Sequence, residues 1–101
     1  MRDENYHQSI KDALWGLMMA SDDVYGQLFQ IAVTGELKDW SKTVPIGEWH
    51  NPSFEVYQGC EDANIKAIVE LLITMKNTID TIANLNAIDI DELIKEKQRN
   101  Q

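Results

Sequence analysis

One cysteine, two prolines and five glycines are all that this 101-residue chain holds of the residues that staple, break or loosen a backbone. The lone thiol, Cys60, excludes an intramolecular disulfide framework and suits a reducing compartment. No proline follows Pro52, and most of the glycine and proline lies between Gly35 and Gly59, so both flanks are free to be helical. Basic residues are also scarce: nine Lys and Arg stand against seventeen Asp and Glu, a net charge of −8. Such a surface repels nucleic-acid phosphate and anionic membranes, which opposes direct nucleic-acid binding. It fits a basic protein partner, divalent cations or imitation of the charge of DNA, and it also serves plain solubility. No apolar run approaches the roughly 20 residues of a membrane span. The start, Met1-Arg2-Asp3-Glu4-Asn5-Tyr6-His7, has no signal-peptide core, so a cytoplasmic protein is expected. Gly-x-Ser-x-Gly and a glycine-rich phosphate loop are missing. His7, His50 and Cys60 cannot compose a zinc site, and no catalytic residue is assigned.

What the chain does have is apolar residues at helical spacing. The first segment, a helix over about 3–34 stopped by Gly35, aligns Tyr6, Ile10, Leu14, Leu17, Val24, Leu28 and Ile31 on one stripe. Met18, Tyr25, Phe29 and Ala32 widen that stripe, and Trp15, Met19 and Val33 extend it beyond the arc one neighbour covers. Gly16 and Gly26 fall inside it, as kinks or as points of close helix approach. A connection over 35–51 contains Trp40, Pro45, Gly47 and Trp49, and its tryptophans close the open end of a hairpin or form part of a binding surface.

Asn51 as a cap and Pro52 in the first turn then predict a long helix over about 52–84. Its stripe is Phe54, Tyr57, Cys60, Ile65, Ile68, Leu71, Leu72, Met75, Ile79 and Ile82. A helix of about 32 residues spans roughly 48 Å. That exceeds the roughly 34 Å diameter of a compact globule this size, so a second copy or a partner is expected to cover it. After a break near Asn84–Ala87, Asp89 and Glu92 form a capping box for a short helix over about 89–98, whose basic end suits the helix dipole.

Two carboxylates sit oddly on these helices. Asp22 falls between Trp15, Met18, Phe29 and Val33, and Glu61 falls among Tyr57, Ile65, Ile68 and Ile79. A buried carboxylate pairs, binds a cation or lies at an interface, unless it reaches solvent at the stripe's edge. Antiparallel packing can bring the two together as an acidic magnesium cluster.

The run Asn84-Leu85-Asn86-Ala87-Ile88-Asp89-Ile90-Asp91-Glu92-Leu93-Ile94-Lys95-Glu96-Lys97-Gln98-Arg99-Asn100 resembles the end of MazG-like all-α nucleoside triphosphate pyrophosphatases. Asp22-Asp23-Val24-Tyr25-Gly26-Gln27-Leu28 is similar to that family's Glu-Glu-Val-Gly-Glu-Leu. The resemblance implies a helical dimer and a magnesium site drawn from Asp22, Asp23, Glu61, Asp62 and Glu70. Gln27 and Ile73 stand where the family places further acids, so the ligand set it implies is incomplete.

The chain is therefore expected to be one all-α domain of two long antiparallel helices and a short third, dimerising around a four-helix core. The expected role is that of a small acidic binding protein without catalysis or cofactor, an inhibitor of a basic or nucleic-acid-binding protein. Trp15, Phe29, Trp40 and Trp49 are its candidate contact residues. The alternative is a divergent magnesium-dependent nucleotide pyrophosphohydrolase, or a pseudoenzyme keeping the nucleotide pocket.

Overall fold

The computed structural model describes residues 4–35, 57 and 59–99. They form α1 (Glu4–Thr34), α2 (Ala63–Leu85) and α3 (Ile90–Arg99), with no strand among the described residues. The expected class is observed: two long helices and a short C-terminal third. Trp40 and Trp49, with the 35–51 connection beyond Gly35, lie outside the described residues.

α1 is the long element. Its 31 residues rise about 46 Å and run unbroken through Gly16 and Gly26. A Cβ built at either glycine meets nothing within 4 Å, so neither marks a close helix approach. At the far end, the Gly35 N–H donates to the Ile31 and Ala32 carbonyls at 3.1 and 3.2 Å. A Cβ on Gly35 would stand 3.1 Å from the Ile31 oxygen, which explains glycine at this stop.

The single helix expected over 52–84 is corrected. Tyr57 is helical, but Gly59 turns the chain, Cys60–Asp62 are not helical, and α2 begins only at Ala63. Asp62 supplies the physical reason. Its backbone is extended, and its carboxylate accepts the Asn64 N–H at 2.8 Å, a local cap that competes with helix continuation. Glu61 therefore never joins the wheel that placed it among Tyr57, Ile65, Ile68 and Ile79; it is exposed. Cys60 stays buried in the core with Tyr57 and Ile65.

α2 ends in a Schellman turn. The Ala87 N–H donates to the Asn84 carbonyl at 3.3 Å and the Ile88 N–H to the Ala83 carbonyl at 2.8 Å. Ala87 takes φ 53°, a left-handed conformation that usually falls to glycine. The expected cap follows at once: Asp89 Oδ1 accepts the Glu92 N–H at 3.2 Å and opens α3.

α1 and α2 pack antiparallel. Tyr25, Leu28 and Ala32, late in α1, meet Tyr57, Cys60, Ile65 and Leu72. Leu14 and Met18, early in α1, meet Ile79, Ala83 and Leu93. The fully buried positions of α1 are Leu14, Met18, Ser21, Tyr25, Leu28 and Ala32, in alternating steps of four and three. This is the repeat of a coiled-coil seam. It displaces the expected stripe: Leu17, Val24 and Ile31 are half-buried shoulders, and Tyr6 is exposed. Ser21 takes the central place because a small side chain lets Met75 approach, its hydroxyl donating weakly to the thioether at 3.8 Å. α1 and α2 thus form a two-helix layer, with α3 packed against one end of it.

Candidate interaction surface

A two-helix layer has two broad faces, and charge is divided between them. The charged residues of α1 are Glu4, Lys11, Asp12, Asp22 and Asp23. At 100° per residue Glu4, Lys11, Asp12 and Asp22 fall on the same side of the buried seam, and Asp23 points directly away from it. The charged residues of α2, Lys66, Glu70, Lys76 and Asp80, all fall on one side of its own seam. Antiparallel packing of right-handed helices brings these two sides onto one face of the layer.

The opposite face is uncharged along both helices. α1 contributes Ile10, Leu17, Val24 and Ile31, all half-buried, with Ala13 and Ala20 exposed beside them. α2 contributes Leu71, 49% exposed, and Leu85, 75% exposed, joined by Ala67, Thr74 and Thr78. In a chain with 26% charged residues, a face without one is a selective feature.

On the charged face, α3 lies across the N-terminal part of α1. Leu93 buries into the cluster with Leu14 and Met18, and Trp15 packs half-buried against the same cluster. Two ion pairs fasten the contact, Lys11 to Glu96 at 2.5 Å and Lys97 to Asp12 at 2.6 Å. They hold the Asp12 and Glu96 carboxyls below the usual carboxylate range. His7, Lys11, Ile88, Asp89, Glu92 and Glu96 line an open groove of about 180 Å³ beside this contact. Its lysine is already paired with a groove carboxylate, so the groove reads as part of the α1–α3 clamp.

Further along α1 the same face carries Trp15, Met19, Asp22, Gly26, Phe29 and Val33, all half-buried. This second row is shifted one residue from the seam and has the same four-and-three spacing. Asp22 is the exception in it. Its Oδ1 is closed off from solvent and has no hydrogen-bond partner. Burial, and then the neighbouring Asp23, push its carboxyl above the ordinary value. Tyr57 is buried with its ring edge-on to Tyr25 at 6.3 Å, and its hydroxyl has no hydrogen bond of good geometry. Burial raises the Tyr57 phenol and the Tyr25 hydroxyl opposes that shift.

Of the acids singled out from the sequence, Asp22 and Asp23 are on α1, Asp62 caps α2, and Glu61 and Glu70 are exposed. Among the described residues no three His, Cys, Asp or Glu side chains come together as a metal site. Trp15 and Phe29 share the Asp22 row. The division of charge between faces escaped the sequence reading. Its signal was present as the absence of any charge at Ile10, Leu17, Val24 and Ile31 and their outer neighbours. None of the described helices is long and apolar enough to cross a membrane. No family model, curated protein or solved structure matches the chain.

Proposed function

We propose that this protein is a non-catalytic binding protein that dimerises through its uncharged face and offers its acidic face to a basic protein partner. The observation that carries the reading is the division of charge between the two faces of one layer. Copies that each carry −8 repel, and the uncharged face is where two of them can meet without charge against charge. That face is about 38 Å long over Tyr6–Ile31. Two helices side by side make it about 20 Å wide, roughly 750 Å² per copy. A standard interface needs about 800 Å² per partner. Two layers stacked this way form a four-helix core, and both charged faces point outward. An inhibitor of a basic or nucleic-acid-binding protein is the role such a surface fits best.

Sedimentation across a hundredfold range of concentration tests this. The wild type is expected as a dimer. Leu71→Glu, on an exposed position, is expected to give a monomer of unchanged helical content. A wild-type chain that stays monomeric at high concentration sinks the reading. So does magnesium-dependent release of pyrophosphate from nucleoside triphosphates, which would favour the hydrolase alternative.

A further inference from the structure

α2 and α3 share one register across the turn that separates them. Ile79, Ala83, Asn86, Ile90, Leu93 and Lys97 follow in alternating steps of four and three, the repeat that also forms the α1 seam. A reversing turn does not require two helices to share a register; an uninterrupted helix does. We propose that this turn is a hinge: α2 and α3 straighten into one helix over 63–99, and α3 seats on α1 of a second copy, which returns its own α3. The exchange uses the α1–α3 contact and no part of the uncharged face, so it does not depend on the dimer proposed above.

The hinge is short and lacks a breaker. Between Asn84 and Asp89 there is neither glycine nor proline. The Asn86 N–H still donates to the Ile82 carbonyl at 3.2 Å, and the Leu93 N–H already donates to the Asp89 carbonyl at 3.0 Å. Only Ala87 and Ile88 stand between the two helical ladders. Ala87 turns the chain at φ 53°, where its Cβ crowds the following carbonyl, although alanine is the best helix former. Straightening relieves it. The Schellman bonds and the Asp89 cap hold the turn closed in an isolated chain, and so does the docking of α3. That docking places Leu93 with Leu14 and Met18, and pairs Glu96 with Lys11 and Lys97 with Asp12. These contacts join residues far apart in sequence, so a second copy supplies them unchanged. Opening within one chain forfeits them, whereas exchange between two chains keeps them and removes both strained turns. The occupant is a second copy because α3 is the segment this part of α1 already fits.

The test uses the full chain carrying Leu71→Glu, which sets the uncharged-face dimer aside. One version adds Lys11→Glu and Asp12→Lys, reversing the α1 charges of the contact. Another, isotopically heavy, adds Glu96→Lys and Lys97→Glu, reversing those of α3. Alone, each sets like charges against each other within its own chain. Unfolded and refolded together, the two restore both ion pairs at both contacts only by exchanging α3. Native mass spectrometry is expected to find the mixed dimer at least about tenfold over either self-pair. Ala87→Gly in both chains relieves the closed turn and weakens the open helix, and is expected to lower the mixed dimer at least about tenfold. Ala87→Val, β-branched and unsuited to positive φ, is expected to make the Leu71→Glu chain dimeric at high concentration without any charge reversal. A mixture that stays monomeric, or a mixed dimer that Ala87→Gly leaves undiminished, overturns the exchange. So does a monomeric Ala87→Val chain of full helical content, a result that decides the matter even where a charge-reversed chain fails to refold. None of these outcomes touches the uncharged-face dimer, which is decided by the wild type against Leu71→Glu.

Discussion

The two faces of the α1–α2 layer are built on the same seam, yet they solve opposite problems. The Leu17–Val24–Ile31 side with Leu71 and Leu85 has apolar surface and no charge, and it is the side proposed to meet a second copy. The Trp15–Phe29 side has half-buried apolar residues interrupted by Asp22, whose Oδ1 is buried without a hydrogen-bond partner. A carboxylate within an apolar row changes which kind of neighbour that row can accept without a desolvation cost. The transfer term favours any cover, and the desolvation term excludes covers that leave the charge unpaired.

The comparison is broken most severely at the seam that both faces share. Leu28 is fully buried, and Leu28→Ala is expected to cost about 3 kcal/mol in chemical denaturation. Dimerisation and binding of a basic partner should then weaken together. Loss of one with retention of the other would show that the faces do not depend on a common core. Leu71→Glu should separate them, raising the dimer dissociation constant by at least about tenfold while leaving binding of a basic partner intact.

Asp22→Asn sharpens the contrast from the other side. The raised carboxyl means that the folded chain resists ionising Asp22. Its favourable contribution is present below the ordinary carboxylate value and is lost as pH rises through the raised one. Asp22→Asn is therefore expected to stabilise the isolated chain by about 1 kcal/mol at pH 7, with the gain vanishing near pH 3. Asp12 and Glu96 have the opposite sign. Their contribution is present above the ordinary value and lost as pH falls through their lowered values. Acid should therefore loosen α3 while it relieves Asp22, and exchange of α3 amides against pH would show it. The smallest expected effect concerns neither face. Ala87→Gly should relieve the left-handed turn and raise stability by about 0.5–1 kcal/mol in thermal melts, with uncharged-face dimerisation and partner binding unchanged.

Local chemistry made much of the fold legible. The Gly35 stop, the break before Ala87 and the Asp89–Glu92 cap are short-range signals, and each appears where the residues place it. The start of α2 was misread because Asn51-Pro52 makes a good helix start on its own. Gly59 is no absolute breaker, so the apolar spacing runs straight through it. The cap at Asp62 prevails once Cys60 and Tyr57 are packed into the core with Ile65. The seam was misplaced for a related reason: counting apolar residues favours Leu17 and Val24, whereas packing gave the centre to Ser21. Of the candidate site, Asp22 was visible as an acid on an apolar arc. Glu61 was not separable from it until the chain left the helix.

The sequence by itself determined that the chain is helical, acidic and short of basic residues, and where two of its helices stop. Those properties follow from spacing, caps and composition, which act over a few residues. Only the tertiary structure decided which row of α1 became the seam, because that depends on what α2 brings to each position. It also decided that most charges of two helices share one face, and that Asp22 Oδ1 is buried without a hydrogen-bond partner. Those outcomes depend on the antiparallel pairing of distant residues, which no local window contains.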